Sequence, residues 1–274
     1  MRIFGNTGKL TVKGGEGAPG IGGGRNQKSG NIEINGGIIS ATTDLWSYSS
    51  AIGAGYGGYE GNWQGSKGVG TITINGGTIT ASGTTGIGSG GGAQCGDITI
   101  NGGTVTAKGG GDDHIGAGIG GCQGADCSNI TINGGNVTAQ GGLHAAGIGG
   151  AKQQKSGNIL ITGGTVTASG GINAAGIGTG MEGRCGTITI ESTVTKVTAK
   201  RGGTSVTYPA PTDIFSIGLG VYNKYYVDNG TPASLCGTIT IGDKIYYNRG
   251  DAPEPFNPSG DEVALIVDTF VYPQ

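Results

Sequence analysis

The sequence predicts an all-β chain wound as a single-stranded, right-handed parallel β-helix of about eight coils, each made of three short strands. Three observations carry that expectation. One phrase recurs: GNIEINGGIISA (30–41), GTITINGGTITA (70–81), GDITINGGTVTA (96–107), SNITINGGNVTA (128–139) and GNILITGGTVTA (157–168). A second phrase, an isoleucine between glycines, follows each copy, as in GAGIGGC (116–122), AAGIGGA (145–151) and AAGIGTG (174–180). The best-kept copies, at Ile130, Ile159 and Ile188, stand 29 residues apart. A repeat of that length is one supersecondary unit that cannot bury its own apolar face and must stack on its neighbours. Without the period, 65 glycines and 8 prolines among 274 residues would read as low-complexity sequence.

Each element of a coil follows from its residues. The I-x-I segment alternates apolar with other residues, Gly-Gly breaks the alternation, and T-V-T-A resumes it, so two short strands meet at a glycine corner. The Gly-Ile-Gly segment supplies a third strand with one buried isoleucine. Coils are expected to begin near residues 8, 30, 70, 96, 128, 157, 186 and 237. Stacked in parallel at about 4.8 Å, they make a rod of roughly 34 Å. Ile34, Ile74, Ile100, Ile132, Ile161, Ile190 and Ile241 form one expected inward ladder. Ile39, Ile79, Val105, Val137 and Val166 form a second, and Ile52, Ile87, Ile119, Ile148, Ile177 and Ile217 a third.

Repeats are expected over residues 1–241, with insertions near 42–69 and 202–236. In the seventh coil GTITIESTVTKVTA (186–199) replaces the Gly-Gly corner, and residues 242–274, with Pro253, Pro255, Pro258 and Pro273, read as a cap or the start of a linker. The repeat-like GKLTVKGG close behind Met1 suggests a piece of a larger surface protein; the alternative is that Ile3 and Phe4 alone shield the first coil. Sixteen Lys and Arg against 18 Asp and Glu give a net charge of −2, so no basic surface is available to a nucleic acid. No run of 18 apolar residues occurs, which argues against membrane insertion, and MRIFGNTGKL lacks the pattern of a signal peptide.

The combination C-G-x-I-T-I-N-G-G-x-V-T-A with A-G-I-G-G resembles the glycine-rich repeat regions of bacterial secreted and cell-surface proteins, and more distantly the pectate-lyase-like right-handed β-helix superfamily. The resemblance covers residues 8 to 241. It implies an extracellular or cell-surface location and is nearly silent about activity, because surface β-helices serve as adhesin stalks, glycan binders and lyases alike. The clustered acidic metal ligands and catalytic base of pectate-lyase-like enzymes have no counterpart on the repeats.

Cys95, Cys127, Cys185 and Cys236 each stand three residues before the first isoleucine of a coil, where Ser29, Val69 and Ser156 stand elsewhere, and so form a structural column. Packed thiols at a tight corner are the expected state. The alternative is oxidation between neighbours, Cys95 with Cys127 or Cys185 with Cys236, for which parallel side chains offer poor geometry. A local Cys122–Cys127 bridge competes with it, and the spacings miss those of zinc sites. His114, flanked by Asp112 and Asp113, and His144 precede the Gly-Ile-Gly strands of adjacent coils; Asn173 matches His144 one coil on, which favours a polar ladder over a metal site. No metal or other cofactor is expected. Neither histidine has a nucleophile partner, so the chain is read as a non-enzyme.

Thr78 with Thr80, Thr104 with Thr106, Thr165 with Thr167, and Thr138 beside Asn136 place outward hydroxyls on one face. Such columns resemble ice-binding solenoids, but threonine is also simply a favoured strand residue. Arg249-Gly250-Asp251 spells a tripeptide read by some surface receptors, a pattern common by chance. The aromatic residues are the most informative cue. Between Gln64 and Thr207 there are none, whereas Trp46, Tyr48, Tyr56, Tyr59 and Trp63 crowd one insertion and Tyr208, Phe215, Tyr222, Tyr225 and Tyr226 another. Long loops on a rigid scaffold are where binding tends to reside, and aromatic faces beside amides and carboxylates suit sugar rings. The expected function is therefore a structural and adhesive module that binds glycan or a host-surface ligand. A β-helix polysaccharide lyase or hydrolase is the alternative, and ice binding a distant third.

Overall fold

The computed structural model describes residues 1–5, 7–58, 68–110, 115–203, 214–221, 227–228, 231–232, 235–246 and 269–273. The strands stack coil upon coil into a parallel β-helix. The first sheet holds Arg2–Ile3, Ile32–Ile34, Ile72–Ile74, Ile98–Ile100, Ile130–Ile132, Ile159–Ile161, Ile188–Ile190 and Ile239–Ile241. The second holds Lys9–Lys13, Ile38–Thr42, Thr78–Ser82, Thr104–Lys108, Asn136–Gln140, Thr165–Ser169 and Lys196–Lys200. The third runs from Ile21–Gly23 through Ser50–Ala54, Thr85–Gly88, Ile119–Gly120, Ile148–Gly149 and Ile177–Gly178 to Ile217–Gly218. Register is kept residue for residue: Ile98 faces Ile130, Val105 faces Val137, and Ile119 faces Ile148.

All three expected ladders point inward and are buried. Both isoleucines of I-x-I face the core, and the alanine of T-V-T-A, from Ala41 to Ala199, adds a ladder of small side chains beside the valines. Period-2 alternation allows this, since every second residue of a strand shares one face. The pairing of aligned aliphatics repeats each coil, so apolar burial accumulates with coil number rather than with cross-section.

Three expectations need correction. The helix begins at Arg2 rather than near residue 8, because Arg2 and Ile3 pair in parallel with Glu33 and Ile34. Ile3 packs against the core while Phe4 is exposed, so Phe4 shields nothing. Each coil also has a fourth, very short ladder, not three strands alone. It contains Lys28–Ser29, Gly68–Val69, Gln94–Cys95, Lys155–Ser156, Arg184–Cys185 and Leu235–Cys236, with Cys127 bridging Cys95 to Ser156. Two paired residues per coil are too short to register as an alternating pattern. Third, Cys185 and Cys236 are joined by a disulfide, with Cα atoms 4.6 Å apart. Stacking brings these Cα atoms to a separation that a disulfide spans readily, and the parallel side chains accommodate it.

Two polar columns run along the corners. Asn75 Nδ2 donates to Asn35 Oδ1 at 2.7 Å, Asn101 to Asn75 at 2.7 Å, and Asn133 to Asn101 at 2.8 Å; the Thr162 hydroxyl closes the series on Asn133 Oδ1 at 3.0 Å. At the start of the first-sheet strands, Asn31, Asp97, Asn129 and Asn158 each accept a backbone N–H from the following coil. The third sheet needs glycine for a different reason. Gly149 has φ of 131°, and a Cβ there would strike the carbonyl of Gly178 in the next coil. At the far end, Lys244–Tyr246 turns back antiparallel on Ile239–Ile241, and Thr269–Tyr272 pairs antiparallel with Lys196–Lys200, bringing Tyr246 and Phe270 into the core.

Candidate functional site

The described part of the aromatic insertion is built on the corner after Ile38–Thr42. Leu45–Ser47 forms a single 3₁₀ turn, and Tyr48 follows it in the left-handed conformation at φ 52°. Buried hydroxyls fix the turn: Ser49 Oγ donates to the Ser47 carbonyl at 3.1 Å, and Thr43 Oγ1 to the Ser49 carbonyl at 3.4 Å. Lys13 anchors its start from the previous coil, 2.7 Å from Asp44. On this turn Trp46 is 73% exposed, the most exposed large apolar side chain among the described residues.

Tyr48 and Tyr56 behave differently. Their rings lie 5.6 Å apart at a tilt of 35°, and the Arg25 guanidinium sits over Tyr56, 5.2 Å from the ring centre. Glu16 Oε1 lies 3.5 Å from Arg25 Nη1. The backbone holds both tyrosines: Gly91 N–H donates to the Tyr48 carbonyl at 2.7 Å, and Tyr56 N–H to the Gly17 carbonyl at 2.8 Å. A Cβ at Gly91 would press on Tyr48 Cβ at 3.2 Å and Tyr56 Cδ2 at 3.4 Å, so the absent side chain makes room for the pair. Half-buried Tyr48 and Tyr56 thus fasten the corner to coils on either side, while Trp46 is largely exposed to solvent. Phe215, expected among the displayed aromatics, is instead buried in the core, where it packs as an apolar side chain. Tyr59, Trp63, Tyr208, Tyr222, Tyr225 and Tyr226 lie outside the described residues.

A groove of about 310 Å³ opens along the fourth ladder, lined by Lys28, Gln94, Cys95 and Ser128 around Gly68, Gly70 and Gly96. Its cause is local. Lys28 and Gln94 flank Gly68 in the ladder, so at that position the coil between them contributes no side chain, and Val69 is its one side chain in the lining. Lys28 is the only charged residue of the lining, which also offers the amide of Gln94 and the hydroxyls of Ser29 and Ser128. That mixture donates and accepts hydrogen bonds without supplying a nucleophile and base pair.

The remaining expected groups fall as follows. Cys95, Cys122 and Cys127 are free and buried. The hydrogen bond between the Cys95 and Cys127 thiols, with burial adding to it, holds Cys95 well above the ordinary thiol range, and burial pushes Cys122 up to about 11. Both shifts keep these thiols protonated at neutral pH and slow their reaction, since the thiolate is the reactive form. His144 and Asn173 occupy matching left-handed positions, at φ 55° and 64°. His144 Nδ1 is 3.1 Å from the Ile172 carbonyl and 3.3 Å from Asn173 Nδ2, and burial lowers its pKa although the Ile172 carbonyl opposes the shift. One ring nitrogen cannot donate to the carbonyl and accept from the amide at once, so the Asn173 contact requires the other tautomer. Asp112, Asp113, His114 and the Arg249-Gly250-Asp251 triplet lie outside the described residues. No group of three metal-ligating side chains exists among the described residues. The outward threonines Thr78, Thr80, Thr104, Thr106 and Thr138 are exposed on the second sheet, whereas Thr165 and Thr167 are half-buried.

Sequence reading missed the groove and the two corner columns. The Asn-Gly-Gly of the repeat does carry the signal for one column, an amide at a fixed offset in successive coils. The groove had only Gly68 to announce it.

The topology defines the chain as a parallel β-helix repeat protein. A family described as beta helix repeat matches residues 98–125, 130–152 and 159–181, three consecutive coils in the best-kept part of the period. No curated protein and no solved structure matches the chain. No helix among the described residues is long and apolar enough to cross a membrane.

Proposed function

We propose that this chain is a structural and adhesive module of a bacterial extracellular or cell-surface protein, and that it binds glycan at the corner carrying Trp46. One observation carries the reading: in a chain that turns its aliphatic side chains inward in nearly every coil, the indole of Trp46 stands 73% exposed on a turn fixed by buried hydroxyls. A rigid, exposed indole stacks on the C–H face of a sugar at little entropic cost. The solenoid serves as a stiff stalk, and its sheets give no reason for the indole to be there.

The test is a glycan array followed by titration of tryptophan fluorescence with the best oligosaccharide. Binding in the millimolar to micromolar range, about −4 to −8 kcal/mol, is expected. Trp46→Ala should abolish binding and leave the melting temperature within a few degrees of the parent. An array without hits, or affinity unchanged in Trp46→Ala, rejects this site. Cleavage of any arrayed polysaccharide would replace the adhesive reading with an enzymatic one.

A further inference from the structure

The column on the fourth ladder runs Ser29, Val69, Cys95, Cys127, Ser156, Cys185, Cys236, one small residue per coil. Cys185 and Cys236 are register partners in this ladder and are joined covalently. Cys95 and Cys127 are register partners in the same ladder, parallel and buried, with their thiols in hydrogen-bond contact. The Cα atoms of the bonded pair are 4.6 Å apart, and parallel pairing in the same ladder sets register partners such as Cys95 and Cys127 at about 4.8 Å, within the span of a disulfide. Cys122, the competing partner in sequence, is held elsewhere: its backbone bridges to Gly116 and Ala125, and its thiol lies by the Thr85 hydroxyl. The groove beside Lys28 has Cys95 among its lining residues, and since Cys95 is itself only 3% exposed, its sulfur meets an oxidant when the short ladder parts locally at the groove.

We infer that Cys95 and Cys127 form a second coil-to-coil disulfide when a small-molecule disulfide such as oxidised glutathione enters the groove. Cys95 gives up its proton to water, and its thiolate attacks one sulfur of the oxidant, forming a mixed disulfide and releasing one glutathione thiolate. The Cys127 thiolate then attacks Cys95 Sγ, closing the protein bridge and releasing the second. Two protein thiols are oxidised and one small disulfide is reduced to two thiols, so electrons and protons balance. The column is suited to the product. The hydroxyls of Ser29 and Ser156, at equivalent positions, are buried with no hydrogen-bond partner, so the corner favours an apolar sulfur bridge over polar groups.

The folded protein is incubated for a prolonged period with excess oxidised glutathione at about pH 8.5, where an ordinary thiol ionises and the raised Cys95 supplies a small thiolate fraction, then denatured without reductant and alkylated. The alkylated count is expected to fall from three to one, with Cys122 carrying the label. Cleavage before Asp126 separates Cys122 from Cys127, and mass spectrometry should find the Cys95 peptide joined to the Cys127 peptide. Cys122→Ser should leave the new bridge intact, and Cys127→Ser should leave Cys95 either free or as the mixed disulfide. Three alkylated cysteines after prolonged oxidation, a stable mixed disulfide at Cys95 in the parent protein, or a Cys122–Cys127 link would each overturn the inference.

Discussion

Gly149→Ala tests the geometry that allows the third sheet to stack. Gly149 sits at φ 131°, a region essentially closed to residues with a side chain, and holding alanine there costs about 1–3 kcal/mol. The added Cβ would also fall on the Gly178 carbonyl, which accepts the Gly150 N–H at 2.9 Å. Moving that carbonyl aside leaves buried groups unpaired, at about 1–3 kcal/mol more. The sum, about 2–6 kcal/mol, exceeds the ~1 kcal/mol of an ordinary substitution. For a chain of this length it corresponds to a fall of about 4–10 °C in melting temperature. Gly76→Ala is the control. Gly76 lies outside the left-handed region, and its Cβ would meet only the Asn35 carbonyl oxygen, at an ordinary 3.5 Å. There the loss of chain entropy in the unfolded state predicts no change or a gain of about 0.4–1 kcal/mol. Thermal and urea melts followed by circular dichroism of the β signal give both numbers. A Gly149→Ala protein that melts with the parent refutes the close-approach argument. Equal losses at the two positions would mean that glycine matters for flexibility, not for contact.

Other consequences are equally open to measurement. Alkylation of the purified, denatured protein without reductant should label Cys95, Cys122 and Cys127 and leave Cys185 and Cys236 untouched; Cys185→Ser should cost about 4 kcal/mol, since the bridge closes a loop of 51 residues. His144→Asn should fold, because Asn173 holds the matching left-handed position one coil on. The lowered pKa of His144 means that its contribution to stability is full above the unfolded value of about 6.5 and is lost as pH falls through the folded value. The variant should therefore lose less stability than the parent on acidification below that pH, and parallel pH curves would contradict a half-buried imidazole that is held neutral. Asn101→Asp puts a carboxyl where the side chain must donate to Asn75 Oδ1 and accept from Asn133 Nδ2. Only the protonated form does both, so its folded pKa is raised and the variant should regain stability as pH drops toward 4, the reverse of its behaviour at pH 7.

The aliphatic ladders were legible because period-2 alternation and a coil-length repeat report the same geometry twice. Ile34, Val105 and Ile148 could be assigned inward without any coordinates. What escaped was decided by contacts between coils rather than within one. The pairing of Arg2 and Ile3 with Glu33 and Ile34 extends the helix into a stretch with no repeat phrase. The fourth ladder contributes two residues per coil, too few to show a period. The bond between Cys185 and Cys236 depended on how closely adjacent coils lie, and side chains that are parallel on paper meet at 4.6 Å of Cα separation. Among the aromatics, composition identified the cluster but could not divide it. Tyr48 and Tyr56 fasten the corner through Arg25 and Gly91, and Trp46 alone of the described three is mostly outside.

The division between Trp46 and the two tyrosines follows from the architecture. In a solenoid each residue of a regular coil has a like neighbour above and below, so a specific site needs a place where the period is broken. The threonine and asparagine columns are too regular to single out a position along the rod. The corner at Trp46 and the slot at Gly68 are local breaks, one made by an added turn and one by a missing side chain. Both belong to the coil whose strands Ile38–Thr42 and Ser50–Ala54 pair in register with a coil on each side, which supplies rigid walls for an irregular surface. Moving the same residues Leu45–Ser47 to the corner after Asn136–Gln140 would preserve the stalk and relocate the exposed indole. Binding that follows the transplanted turn would show that the coil acts only as a support, whereas binding that stays behind would assign recognition to the groove beside Lys28.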